Sequence, residues 1–202
     1  ILNITIIVVP AAVIGARLYY VLFSGRLDYY LNNPLEILAT WHGGLAVHGG
    51  LIAGITAGYF YVRKYRLGFW KMADLLAPSI ALGQSIGRWG NFFNQEAHGG
   101  PVSLDFISRF PDFIQRGMLI NGQYYHPTFL YESLWDFAVF LLLILLRRKE
   151  AVKTGDTFLG YLILYSTGRF FIEGLRTDSL KLGPFRVAQL VSLAAIVTAV
   201  FL

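Results

Sequence analysis

Residues 83–100 read Gly-Gln-Ser-Ile-Gly-Arg-Trp-Gly-Asn-Phe-Phe-Asn-Gln-Glu-Ala-His-Gly-Gly and follow directly on the apolar run 75–82. The stretch holds five glycines, two asparagines, an arginine, a glutamate and a histidine. An apolar helix that only has to be buried needs none of these. Glycine lets a backbone turn and lets a ligand or a second helix come close. Arginine presents a rigid fork of donors that fits a phosphate or a carboxylate. The asparagines and Gln84 satisfy backbone groups where a helix ends away from water. The plainer reading is a membrane-helix end that happens to be rich in glycine, but an arginine at that depth is too costly to be idle.

The surroundings of that stretch are apolar. Of 202 residues, 55% are hydrophobic, and the mean hydropathy is +0.54. A water-soluble domain does not carry that much apolar surface, so the chain reads as an all-α integral membrane protein. The net charge of +5 is then a topology signal rather than a nucleic-acid footprint. There is no cysteine. A thiol nucleophile, a disulfide framework and a thiolate metal site are all excluded. The chain opens on Ile1 without a signal-peptide pattern and stops inside an apolar run. Both ends are expected to be truncated, which makes any count of spans a minimum.

Six transmembrane segments are expected in one domain covering 1–202, at about 4–23, 45–62, 72–87, 128–146, 157–172 and 187–202. Residues 94–126, broken by Pro101, Pro111, Gly117 and Asn121-Gly122, are expected to form a small external subdomain with a hairpin at Asn121-Gly122. Arg17 lies near the end of the first segment, where a structural contact is favoured. His42-Gly43-Gly44 and His48-Gly49-Gly50 are six residues apart, about 600° of helical rotation. The two histidines therefore face different ways, which argues against a shared metal. The third segment is short, about 15 residues or roughly 22 Å. Gln84, Arg88 and Asn91 share one face only if the helix continues that far. Glu132 and Asp136 fall i, i+4 in the outer half of the fourth segment and need partners, for which an arginine from elsewhere is the obvious type. Tyr165, Arg169 and Glu173 form one stripe on the fifth.

Basic connectors fix the sides. Arg63, Lys64, Arg66 and Lys71 lie between the second and third segments, and Arg147, Arg148, Lys149 and Lys153 between the fourth and fifth. Both belong on the cytoplasmic side. The ends carrying Arg88, Glu132 and Arg169 then face outward. Arginines converging at headgroup depth suit a phosphate, and a histidine beside them can relay a proton. No serine sits in an elbow motif, so an attacking group has to come from a substrate. Broken helices and buried charges also build solute pathways, which keeps a transporter or channel for an anionic solute open. A non-catalytic anionic-lipid scaffold is a third reading.

The run Gly87-Arg88-Trp89-Gly90-Asn91-Phe92-Phe93-Asn94-Gln95-Glu96, closed by Gly99, strongly resembles the signature of the bacterial prolipoprotein diacylglyceryl transferases. His48-Gly49-Gly50-Leu51, His126-Pro127-Thr128 through Tyr131-Glu132, and Gly168-Arg169-Phe170-Phe171-Ile172-Glu173 with Arg176 follow the same pattern in the same order. The resemblance covers nearly the whole chain. It implies transfer of the diacylglyceryl group of phosphatidylglycerol to the thiol of a lipobox cysteine in a prolipoprotein, with glycerol phosphate leaving and a thioether formed. No metal, cofactor or nucleic acid is implied. The missing cysteine is explained, because the substrate brings it. The resemblance further implies catalytic roles for His48, Arg88, Arg169 and Tyr165. It implies lipid contacts for Arg88, Gly87, Gly90, Asn91, Asn94, Glu96, Gly99, Glu132, Glu173 and Arg176. The place is a multi-pass position in the bacterial cytoplasmic membrane, with the site on the extracytoplasmic side. The family has a seventh helix and an external arm with a tyrosine ahead of the first segment seen here. His48 is left with two roles, as a base for the thiol or as a hydrogen-bond partner that positions the lipid.

Overall fold

In the computed structural model, which describes residues 2–202, the chain divides into two compact units, one ending at Phe69 and one running from Trp70 to Leu202. In the first, α1 (Leu2–Phe23) packs against α3 (Val47–Lys64), with α2 (Leu27–Asn32) and the 3₁₀ turns Pro34–Ile37 and Thr40–His42 between them. The pair approaches closely because Gly15 meets Gly49. A Cβ on Gly15 would stand 2.6 Å from the Gly49 carbonyl oxygen, and one on Gly49 would stand 2.9 Å from the Gly15 carbonyl carbon. Small residues are the usual means of close helix approach in a membrane.

Arg17 is 5% exposed and serves the fold. Its guanidinium donates to the carbonyls of Glu36 (2.5 Å), Gly43 (2.7 Å), Gly44 (2.9 Å) and Ile37 (3.0 Å). It thereby gathers the connector that a helix cannot satisfy by itself.

The second unit is built on α4 (Phe69–Asn94), α7 (Thr128–Leu146), α8 (Asp156–Glu173) and α9 (Val187–Phe201). Between α4 and α7 lie β1 (Pro101–Val102), α5 (Leu104–Ile107), α6 (Asp112–Gly117), β2 (Leu119–Ile120) and β3 (Gln123–Tyr125). The three strands form an antiparallel sheet in the order β1-β3-β2. Asn121 and Gly122, at φ 50° and 82°, make the turn between β2 and β3. These left-handed values are what a tight hairpin turn demands. Ile107, Ile114, Met118 and Phe129 pack this region against Trp89 and Phe92 of α4. A two-stranded ribbon, β4 (Lys181–Leu182) and β5 (Phe185–Arg186), joins α8 to α9. The molecule is thus mainly helical, in keeping with the all-α expectation, and its small sheets include the hairpin expected at Asn121-Gly122.

By length and hydropathy, two described helices suffice to cross a membrane, Leu2–Phe23 and Thr128–Leu146, and Val187–Phe201 is a shorter apolar helix. The third segment differs most from its expected extent. The expectation ended it at 87, whereas α4 continues for 26 residues to Asn94. Its buried side is Ala77, Pro78, Ala81 and Ser85, packed with Val139, Leu143 and Tyr161 in the case of the two alanines. Gly83, Gly87 and Gly90 lie on the open side, where an added Cβ would meet nothing within 4 Å. The helix holds because packing on one side outweighs the entropy that glycine costs on the other.

Opposite ends of these helices are fixed by different contacts. At the start of α8, Asp74 of α4 accepts from the backbone N–H of Gly155 (2.6 Å) and Phe158 (2.9 Å). An acid from a neighbouring helix thus satisfies amides that a local cap otherwise would. At the far end, α4 is tied to α7. Ser85 Oγ donates to the Ser133 carbonyl (2.8 Å), and Trp89 Nε1 donates to Ser133 Oγ (3.1 Å).

Candidate active site

Glu132 organises the polar end of the second unit. It stands in the second turn of α7 and is 4% exposed. Arg88 Nε from α4 lies 2.6 Å from Glu132 Oε2. Arg169 from α8 donates to Glu132 Oε1 at 2.8 Å, and Arg176, from the connector after α8, reaches the same oxygen at 3.3 Å. One buried carboxylate therefore holds three guanidiniums that come from three separate parts of the chain.

Two of the guanidiniums, those of Arg169 and Arg176, have a second partner. Arg169 Nη2 lies 2.6 Å from Glu173 Oε2, one turn further along α8, and Glu173 is 2% exposed. Arg176 grips Asp178 with two parallel bonds, Nε to Oδ1 at 2.9 Å and Nη2 to Oδ2 at 2.7 Å. Those hydrogen bonds hold the Asp178 carboxyl below the ordinary range for an aspartate. Three arginines thus meet three carboxylates, Glu132, Glu173 and Asp178. Arginine is suited to such a cluster because its charge is permanent and its fork is planar.

Other residues hold the cluster in place. Arg186 donates to the backbone carbonyls of Glu173 and Arg176, the latter at 3.0 Å, and to Ser179 Oγ at 3.2 Å. Gly99 bridges to Arg176. Its N–H donates to the His126 carbonyl (3.1 Å), and the Gly100 N–H donates to the Leu175 carbonyl (3.1 Å). A Cβ on Gly99 would stand 2.6 Å from the His126 Cβ and 3.0 Å from both the Leu175 oxygen and Thr128 Cγ2. The glycine is therefore required by packing at the junction of three segments.

Asn91, Asn94 and Glu96 make a second group at the end of α4. Both asparagine side chains donate to Glu96 Oε1, at 3.2 and 3.1 Å. The backbone turns back there through Gln95 and Ala97 at φ 52° and 56°. Gly87 and Gly90 flank Arg88 on the open side of the helix. Tyr165 lies half-buried one turn before Arg169, its ring stacked 5.6 Å from that of Tyr161, whose hydroxyl donates to Gln84 (3.1 Å).

The structure therefore brings together Arg88, Glu132, Arg169, Glu173 and Arg176, and keeps Asn91, Asn94 and Glu96 as a distinct triad. His48 belongs to the first unit, exposed in the first turn of α3, its ring 6.2 Å from that of Tyr19. Sequence reading missed the parts of Asp178, Arg186 and Ser133. Two of these sit in the connector after α8, where position in the sequence does not name a partner. A serine in an apolar helix carries no signal of its own.

The prolipoprotein diacylglyceryl transferase family profile matches residues 1–202. Proteins named phosphatidylglycerol–prolipoprotein diacylglyceryl transferase are similar throughout. One from Clostridium botulinum (strain 657 / Type Ba4) is 56% identical over 200 residues, 99% of this chain and 79% of that protein. One from Bacillus cytotoxicus is 55% identical over 200 residues, 98% of this chain and 73% of the relative. One from Bacillus mycoides is 53% identical over 201 residues, with the same coverage of 98% and 73%. With three arginines gathered on the buried carboxylate of Glu132 at the polar end of the second unit and this similarity along its length, the chain belongs to the prolipoprotein diacylglyceryl transferase family.

Proposed function

We propose that this chain transfers the diacylglyceryl group of phosphatidylglycerol to the lipobox cysteine of a prolipoprotein, the first step of lipoprotein maturation. The observation that carries this reading is the convergence of Arg88, Arg169 and Arg176 on the single buried carboxylate of Glu132. Such a cluster binds an anion, and the lipid phosphodiester is the anion of this reaction. In the transfer, the cysteine sulfur bonds to the glycerol carbon that carries the phosphate oxygen. That carbon–oxygen bond breaks, its electron pair stays on the phosphate, and the thiol proton leaves. Charge grows on the departing oxygen, where Arg88 and Arg169 stabilise it. Gly87 and Gly90 leave room beside Arg88 for a headgroup. Tyr165, Glu173, Arg176, Asn91, Asn94, Glu96 and Gly99 shape and hold the site, and His48 of the first unit is assigned one of two roles in the reaction, as base for the thiol or as a hydrogen-bond partner of the lipid.

The proposed setting is the bacterial cytoplasmic membrane, crossed by six segments of this chain. The arginine cluster is assigned to the extracytoplasmic side. The basic connectors 63–71 and 147–153 support this. So does the opposition, within the second unit, of the arginine cluster and the Asp74 contact at the start of α8. The relatives named above are transferases and lend no support to transport.

The test is thioether formation by the purified protein in detergent, from phosphatidylglycerol and a lipobox peptide. The wild-type chain is expected to form it. Arg88→Lys keeps the charge but loses the fork, and is expected to lower the rate by ~10²-fold or more. Near-normal turnover of a folded Lys variant would remove Arg88 from this role.

A further inference from the structure

Asp136 is the carboxylate left over at this site. It stands four residues beyond Glu132 on α7 and is 3% exposed. Its Oδ2 is fully enclosed without a hydrogen-bond partner. Three other buried side-chain atoms lack hydrogen bonds of good geometry, Arg88 Nε, Glu132 Oε2 and Glu173 Oε2, and each of those sits in a short ion pair. Among the described residues, Asp136 Oδ2 has neither. The groups whose charges act on it are Arg88 from α4, Glu132 from its own helix and Arg169 from α8, and its own charge acts on Tyr161 and Tyr165 of α8.

A structural carboxylate would be expected to share the arginines, as Glu132 and Glu173 do. An enclosed carboxyl oxygen with no partner serves packing poorly, because an unmatched polar atom costs more than an apolar one of the same shape. Two carboxyl groups one turn apart in such different surroundings divide the work of a site. Glu132 is taken up by the arginines, and Asp136 is left to exchange a proton.

Its depth suits that exchange. Displacement at a saturated carbon is in line, so the sulfur enters on the side of the carbon opposite the phosphate. With the phosphate held at the level of Glu132, the sulfur is directed away from the arginines. Asp136 is displaced from Glu132 toward the middle of α7 by about 6 Å, four residues at the helical rise. We propose that Asp136 is the proton acceptor for the lipobox thiol, an inference that rests on the transferase reading above. The thiol proton passes to Asp136 Oδ1, the oxygen other than the enclosed one, as the sulfur–carbon bond forms and the carbon–oxygen bond breaks. The proton then leaves to water or to the departing phosphate.

Asp136→Asn preserves shape and removes titration, so it separates the proposal from a packing role. The measurements are thioether formation across pH, phosphatidylglycerol binding and thermal stability in detergent. The expected result is a roughly 10²-fold or greater loss of kcat, with the rising limb of the pH–rate profile abolished and with binding and stability retained. Asp136→Glu keeps an acceptor but moves it, and is expected to retain part of the rate with a displaced limb. A near-wild-type rate in the Asn variant overturns the proposal. So does a limb unmoved in the Glu variant, which is informative even if the Asn variant misfolds. So does a limb that vanishes in His48→Gln and persists in Asp136→Asn. Absence of thioether from the wild-type chain overturns the transferase reading itself, an outcome distinct from failure of the Asp136 variants alone.

Discussion

Gly99 accounts for its own identity by contact. The residue closes the signature where the chain leaving α4 meets the start of α7 and the connector after α8, and a Cβ has no free space there. Gly99→Ala is expected to destabilise the folded protein by about 1–3 kcal/mol, the usual cost of overpacking. It is also expected to lower activity by displacing Arg176. Thermal unfolding in detergent and the thioether assay read the two effects, and an Ala variant with unchanged melting would remove the packing argument. Other site residues were legible in the sequence to different degrees. An acid at position 132 inside an apolar helix demanded an arginine from elsewhere, because membrane cost alone dictates that. That one carboxylate takes three arginines was not legible. The reach of Arg176 depends on Arg186 and on the Gly99 bridge, contacts between residues far apart in sequence. Gly49, beside His48, is spent on the approach to α1.

At the scale of elements, α4 shows why a glycine-rich run misleads. Five glycines in residues 83–100 argue for a helix end near 87. Gln84, Arg88 and Asn91 were expected to share a face only if the helix continued that far, and it does, because the alanine-and-serine side is packed while the glycine side is open. The hairpin at Asn121-Gly122 was legible because its turn chemistry is local. The ribbon β4–β5 was not, its strands being only two residues each. The start of α8 was equally hidden, since its amides are met by Asp74, 81 and 84 residues away in sequence. Asp74→Ala is expected to cost about 1 kcal/mol of stability, as loss of a helix cap does. The thioether rate at low temperature should stay near normal, because this contact lies at the end of α8 remote from the arginines. A melting temperature equal to wild type would show that the amides find another partner.

For the molecule as a whole, the absence of cysteine makes sidedness directly measurable, since any introduced thiol is unique. Asn121→Cys, in the β2–β3 turn, is expected to react with a membrane-impermeant maleimide added to intact cells. Lys149→Cys, in a basic connector, is expected to react only after permeabilisation. The reverse pattern would invert the proposed orientation. The Glu132 cluster has a further consequence at this scale. A carboxylate fixed within the same unit contends for the three arginines at an effective concentration set by geometry, whatever the solution contains. Phosphate or sulfate dissolved in water has to out-compete that tethered rival from dilute three-dimensional solution. A lipid is confined to a plane, held at the depth of the arginines and already oriented with its headgroup toward them. On the proposed reading the cluster is expected to select by dimensionality, admitting an anion that lives in the bilayer while resisting the same chemical group when it is free.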